Sequence, residues 1–522
     1  MTGANEAPAA PHARIALILA ILLVACGMRL YGLSRLPGVN GDEAWTGVQV
    51  ERMIHHQGGT LWTGHGRPDN PFYFALLYLV HLVLSPSFFA LRLPAALSGI
   101  ALIPLSYWLV RRLDRDRWIA CSAALLLACA PINIGYSRIG WGPTHVQLAT
   151  LIATYFAMRR NWWGLALSFP MACLVHPTVV FSAVILAGPL VADFFSSSLP
   201  RRRKKWIVLT ALGAAVSLAA VLALGWPGFY SFLRGRGVGH RLRNPQELGL
   251  FLLLFGELFS GSTVYSFLVE PQSAAARWIL DLAFWGFAAA VVVGFVRLRP
   301  PGSARLLGLG GGILAGVVAS YLILGTGAIS PHHERYSLYL VAPTLLWCSL
   351  ALDPLARRYG SRRVVYGVVA LSAFWLASFV VSFLVPLERE GGSSHPTFRT
   401  ARPEPKSQAF EWIVRDAGQR GTRELVVIAD DWWNFWPLAY LAHGRPATTV
   451  RTLSELEFFR QGEQLRRDRL PDTMRAGAYL VAFADSPSEK ELRQSVPEAT
   501  PLATIRDAAG RELLRVWHID DD

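Results

Sequence analysis

Charge is scarce in this chain. Only 16% of its 522 residues are Asp, Glu, Lys or Arg, where a soluble domain carries about 25%, so one large soluble enzyme is excluded. Cysteine is scarce too. Cys26, Cys121, Cys129, Cys173 and Cys348 all lie inside apolar runs, show no zinc-type spacing and offer no disulfide framework. No internal repeat is evident. Apolar residues, by contrast, make up 52% of the chain, with 18 Trp, and several runs reach the roughly 18 residues that suggest a spanning helix. These features predict an α-helical polytopic membrane protein.

The formal charge of +14 does not point to nucleic acid. The Lys and Arg residues cluster between apolar runs, as cytoplasmic loops do under the positive-inside rule. Eleven runs read as spans: 14–33, 91–110, 118–134, 144–158, 162–175, 178–195, 207–226, 276–295, 306–324, 336–352 and 364–386. The first ends in "LLVACG", which resembles a lipoprotein cleavage site but reads more simply as a first span. The run 72–84 has the length of an interfacial segment. If it does not cross, the connectors beginning at Arg111, Arg159, Arg201, Arg297 and Arg357 are all cytoplasmic and all basic. The N-terminus is then inside and the C-terminus outside. After Pro386 a polar linker leads to alternating helix and strand patterns. The expected division is a membrane domain, 1–387, and an extracytoplasmic α/β domain, 388–522.

This topology puts "GVNGDEAWTGVQVERM", 38–53, in the first outer loop. Asn40 can cap a helix starting near Gly41, and Asp42 and Glu43 in its first turn match the helix dipole. On that reading alone they are ordinary helix-start residues. Ala44, Trp45, Val48 and Met53 give the helix an apolar side suited to a membrane surface.

The order of features suggests more. A first span, an outer loop opening with Asp-Glu, a surface helix, "RLPAALSG" from Arg92 and "HERYSLYLVAP" from His333 together resemble the type C (GT-C) glycosyltransferases, of the protein O-mannosyltransferase and aminoarabinose transferase superfamily. The resemblance implies sugar transfer on the outer face from a polyprenyl-phosphate-linked donor to a hydroxyl acceptor, with no nucleotide. It makes Asp42 the candidate base, and Glu43 either a second acceptor ligand or a structural neighbour. The acceptor hydroxyl needs a positioned carboxylate, and the departing lipid phosphate needs cations.

Several basic residues are candidates for the phosphate. Family members carry a Lys before a Pro-rich surface helix, but "RPDNPFYF" has Arg67 instead. Arg335 stands at an outer helix start beside Tyr336, and His333 and Tyr336 are expected to line the cavity. Arg138, in "YSRIGWGP", faces out. Arg234, Arg236, Arg241 and Arg243 lie in an outer loop, and His176 precedes Pro177 at an outer turn. Each also has a plain reading as a headgroup contact, an interfacial anchor or a hydrogen-bonding residue.

His55, His56, His65 and Asp69 share one outer loop, and His332, His333 and Glu334 another, so a divalent metal is possible, but the spacing matches no known site. Asp430 and Asp431 sit at a strand end before Trp432, Trp433 and Trp436, read as domain contacts or a sugar-stacking surface. The expected partners are the lipid-linked donor, the acceptor and membrane lipids. The rival function is a lipid-linked-sugar flippase without bond cleavage, which would favour charges within spans and paired broken helices.

Overall fold

The computed structural model describes residues 11–63, 69–195, 245–298, 303–389, 398–443, 448–452, 477–487 and 500–518, with a few single positions between them. Four helices open the chain: α1 (Pro11–Leu30), α2 (Gly41–Ile54), α3 (Pro71–His81) and α4 (Phe88–Arg112). Asn70 caps α3, its side chain accepting from the Phe72 and Tyr73 amides, and Pro71 holds the first helical position. This short helix coincides with the run that the sequence assigns to the membrane surface.

Six described helices are long and apolar enough to cross a membrane: Phe88–Arg112, Pro177–Phe194, Ala274–Leu298, Ala304–Leu324, Glu334–Tyr359 and Ser361–Arg389. The chain is an integral membrane protein of the polytopic helical class. Other expected spans are shorter. The run 118–134 breaks into Arg117–Cys129 and Pro131–Tyr136, because Pro131 cannot continue the helix and pushes Ala130 to an extended ψ of 122°. Val146–Arg159 and Trp162–Val175 have 14 residues each. The expected span 207–226 lies almost wholly outside the described residues.

One segment differs from the sequence reading. Residues 227–275 read as a polar outer loop, yet Gln246–Ser260 and Ser262–Leu268 are two apolar helices bent by 76°. The break falls at Gly261, which adopts a left-handed φ of 96°. The arginines just before this segment masked its apolar periodicity.

The C-terminal region carries a five-stranded sheet in the order β2-β1-β3-β5-β4. The strands are β1 (Leu425–Ala429), β2 (Thr448–Thr452), β3 (Tyr479–Phe483), β4 (Ala503–Arg506) and β5 (Glu512–His518). β1 runs parallel to β2 and β3, and β5 antiparallel to β3 and β4. Side chains alternate across the sheet. Val427, Ala429, Val481 and Phe483 face the helices Glu404–Gln419 and Trp432–Ala442, while Ile428, Leu480 and Ala482 face away.

The two regions share a core. Val39, Ala44 and Val48 of the acid loop and α2, and Tyr73, Phe74 and Leu77 of α3, pack in one cluster with Phe410, Phe435, Tyr440 and Val481. The apolar side of α2, which suits a membrane surface in sequence, is covered by the α/β domain instead. The contact is backbone-close at Gly38, where an added Cβ would lie 1.9 Å from the Thr400 carbonyl oxygen. Neither side of that clash is a flexible side chain. Gly38→Ala is therefore expected to lose about 1–3 kcal/mol, read as a lower melting temperature of the detergent-purified protein. An unchanged melt would contradict the docking described here.

Candidate functional site

The acid loop is built from its first turn. The Asn40 side chain accepts from the Glu43 amide at 2.8 Å, and the Glu43 carboxylate accepts from the Asn40 amide at 3.0 Å. This is a capping box, and it fixes where α2 begins.

Glu43 does far more than cap. It is fully buried. Its Oε2 also accepts from Arg92 Nε at 3.1 Å and from the Gly140 amide at 2.8 Å, and its Oε1 from Arg92 Nη2 at 2.8 Å. Both oxygens thus accept twice. Arg92, equally buried, donates its remaining N–H groups to the carbonyls of Leu33 at 3.1 Å, Pro37 at 2.9 Å and Gly38 at 2.7 Å. All five guanidinium donors are satisfied. This pair staples the first helix exit, the acid loop and α4 together, and leaves Glu43 no lone pair for chemistry.

Asp42 is different. It is partly exposed, and its Oδ1 accepts from the indole Nε1 of Trp432 at 3.2 Å. That indole belongs to the C-terminal α/β region. Asp431 caps the helix that carries Trp432 by accepting from the Trp433 amide at 2.8 Å and the Asn434 amide at 3.2 Å. Asp430 ties β1 to β3, accepting from the Phe483 amide and the Ser486 hydroxyl, both at 3.0 Å. Burial, together with the adjacent Asp431 charge, pushes its carboxyl up to about 7.

Lys406 grips the same loop. It is fully buried, and its Nζ donates to the Val39 carbonyl at 2.8 Å and the Phe398 carbonyl at 2.7 Å. Burial pulls its pKa from 10.5 down to about 7, with Arg399 and Arg92 pulling the same way and Asp431 and Glu43 opposing. Between those two values the unfolded amine holds a proton that the folded one has lost. The unfolded state therefore binds more protons, and stability rises with pH through that window. The gain is at most about 1.4 kcal/mol per pH unit. Thermal melts at a series of pH values should show the rise from pH 7 upward in the parent and not in Lys406→Met; parallel profiles would contradict it.

A second cluster gathers on the far side of the Gly140–Gly142 segment. Gly140 bonds Glu43, and Trp141 next to it lies under the Arg335 guanidinium, 4.7 Å from carbon to ring centre. Arg335 is half-buried, donates to the His332 carbonyl at 2.9 Å and the Tyr336 hydroxyl at 3.1 Å, and lies 4.8 Å from the Tyr336 ring. His333 stacks on Tyr336 at 6.0 Å and His176 packs against the same ring at 5.8 Å. His176 also bonds the Thr178 hydroxyl at 2.8 Å through Nδ1. The structure thus brings His176 to the segment of His333, Arg335 and Tyr336, and Gly140 and Trp141 link that cluster to Glu43.

Arg138 does not join them. It is buried and donates to the carbonyls of Met28 at 2.8 Å, Tyr31 at 2.6 Å and Leu36 at 3.2 Å, so it holds the end of α1 and the turn after it. Arg67, His65, Arg234, Arg236, Arg241 and Arg243 lie outside the described residues. His55 lies 3.5 Å from Glu51, and the His332 and His333 rings are 4.9 Å apart. Among the described residues no three His, Cys, Asp or Glu side chains group closely enough to hold a metal ion.

Sequence reasoning missed Arg92, Lys406 and the Trp432 contact as parts of this site, and saw Glu334 only as a metal-ligand type. Glu334 is fully buried, and its carboxylate faces the buried Tyr136 hydroxyl.

The overall fold resembles solved proteins. Archaeal oligosaccharyltransferase AglB from Archaeoglobus fulgidus, solved with an inhibitory peptide and a dolichol-phosphate, superposes with a TM-score of 0.53 at 14% identity, covering 90% of this chain and 69% of that one. ArnT from Cupriavidus metallidurans, solved with undecaprenyl phosphate, gives a TM-score of 0.45 at 16% identity, over 97% of this chain and 98% of that one. Arabinosyltransferase EmbB from Mycobacterium smegmatis gives 0.33 at 13% identity, over 74% and 43%. No family model and no curated protein matches the sequence. The likeness to AglB shows that the chain shares the fold of that oligosaccharyltransferase.

Proposed function

We propose that this protein transfers a sugar from a polyprenyl-phosphate donor to a hydroxyl acceptor on the extracytoplasmic face of the membrane. The carrying observation is that Glu43, next to the partly exposed Asp42, bonds the Gly140 amide, while Trp141 beside that glycine lies under the half-buried Arg335 guanidinium. The fold supports it, since AglB is a glycosyltransferase solved with a dolichol-phosphate. The basic connectors support the face. The C-terminal α/β domain, 388–522, then lies outside with the site.

In this reading Asp42 takes the proton of the acceptor hydroxyl as its oxygen attacks the anomeric carbon. The bond from that carbon to the phosphate oxygen breaks, and its electron pair leaves with the lipid phosphate. Arg335, backed by His176, Tyr336 and His333, stabilises that anion. A single displacement inverts the anomeric configuration. Glu43 and Arg92 position Asp42 and touch neither substrate, and Arg138 plays a similar structural part.

One feature favours the flippase reading. The bent pair Gln246–Ser260 and Ser262–Leu268 is a broken apolar segment, and buried Glu257 and Asp281 stand in apolar helices there. The assay separates the two. The purified protein in proteoliposomes is given undecaprenyl-phosphate-linked sugar, radiolabelled in the sugar, with an envelope glycan fraction as acceptor. Label in the acceptor and free undecaprenyl phosphate support transfer. Movement of intact donor across the bilayer supports the flippase and sinks the transferase.

A further inference from the structure

We propose that Trp432 is a positioning residue for Asp42, so that the catalytic site is complete only with the C-terminal α/β domain docked on α2. This rests on the transferase reading above.

The indole N–H is a donor only, and it is aimed at Asp42 Oδ1, 3.2 Å away. A carboxylate bonded to a fixed donor is held in one orientation, and a hydrogen bond to the charged form favours that form. A base needs both.

The indole is itself held by Trp436 and Gly41. Its ring meets Trp436 edge-on at 5.3 Å, Trp436 meets Trp45 edge-on at 6.5 Å, and Trp45 meets Phe74 at 6.0 Å. Trp45 lies one turn beyond Asp42 on α2 and Phe74 lies on α3, so the aromatic chain starts in one domain and ends in the other. Asp431 caps the first turn that holds Trp432. Gly41 lies directly under the ring, where an added Cβ would come within 2.4 Å of the indole Cδ1. Only glycine leaves room for the ring at that point. Lys406 of the same domain grips the Val39 carbonyl, three residues before Asp42. Farther along, the Tyr440 hydroxyl bonds His81 at 2.7 Å and the Ser87 backbone at 3.1 Å. The domain therefore holds the loop that carries the base, the base's own side chain and the far end of α2's support.

A domain merely resting on α2 would need the apolar contacts alone. The indole bond to the carboxylate and the lysine bond to the loop backbone are directed at the catalytic segment, and neither adds apolar burial.

The test is Trp432→Phe in the full-length protein in nanodiscs, with the labelled undecaprenyl-phosphate sugar and glycan fraction as probes. Phe keeps a ring and removes the N–H. The expected result is a kcat lower by about ten- to hundredfold, the effect of losing one hydrogen bond to a charged group, with KM for the donor unchanged. The acid limb of the pH–rate profile should move to higher pH, a change that loosened packing alone would not give. Parent kcat and an unmoved limb, with Asp42→Asn inactive, overturn the role of Trp432 and leave the transferase reading standing. Parent activity in Asp42→Asn removes both. Should Trp432→Phe not fold, 5-fluorotryptophan labelling of the parent gives the answer. One 19F resonance should titrate with pH in the parent and stay constant in Asp42→Asn; absence of any such resonance overturns the proposal.

Discussion

Replacing Asp42 by Asn is expected to lower the rate of sugar transfer by about 10²–10⁴-fold, the range for loss of a general base. Asn keeps the size and still accepts the Trp432 N–H bond, so the loop and the docked domain stay in place. Donor binding should survive, because the proposed mechanism puts the phosphate on Arg335 and not on the acid. The measurement is steady-state transfer with a parallel binding assay for labelled undecaprenyl phosphate. A loss of binding equal to the loss of rate would mean that Asp42 contacts the donor and does not act as the base.

Breaking the staple beneath it should have a different and equally large consequence. Arg92→Met removes five hydrogen bonds and leaves the Glu43 carboxylate fully buried without its cation. Removing one partner of a buried pair typically loses about 3–5 kcal/mol. Arg92→Lys is no rescue, since an ammonium has three donors and lacks the planar fork. The protein should then melt markedly lower or fail to survive size exclusion in detergent. Asp42→Asn should do neither. The two adjacent acids thus separate by phenotype: one variant is folded and inactive, the other unstable. If Arg92→Met were as stable as the parent, the staple would not be the support proposed for the site.

Much of this was readable from the chain and some was not, for definite reasons. The sequence places a capped helix start at Asn40, because capping is local and "NGDE" spells it out. It also places the short α3 and the strands at "RELVVIA", "AYLVAFA" and "ELLRVWHI", where apolar runs of strand length stand out. Local patterning does not tell Asp42 from Glu43, and only the family resemblance separates them in sequence. Both occupy the first turn of one helix, and the distinction is made by Arg92, which is 49 residues away in sequence. Arg92 reads only as the opening of a motif, and nothing in its neighbourhood marks a partner. Lys406 is hidden for the same reason, and Trp432 reads as a domain contact without its carboxylate partner, since both partners lie across a contact that no periodicity encodes. The apolar side of α2 shows the limit most clearly. Its pattern says that something apolar must cover it, and membrane and protein are equally good covers until Tyr440 and Trp436 are seen against it. The bent pair after Pro245 was lost in a loop reading because the arginines before it dominate the composition of the segment. The fold class, by contrast, rests on long apolar runs, which need no tertiary information.

The account turns on one placement, an acid and a cation facing the same lipid-linked substrate. A cryo-EM structure of the protein in nanodiscs with an undecaprenyl-phosphate-linked sugar tests it most directly. The account predicts the phosphate within hydrogen-bonding distance of Arg335 and the anomeric carbon turned toward the Asp42 carboxylate. A phosphate bound away from Arg335, with the sugar out of reach of Asp42, would contradict it.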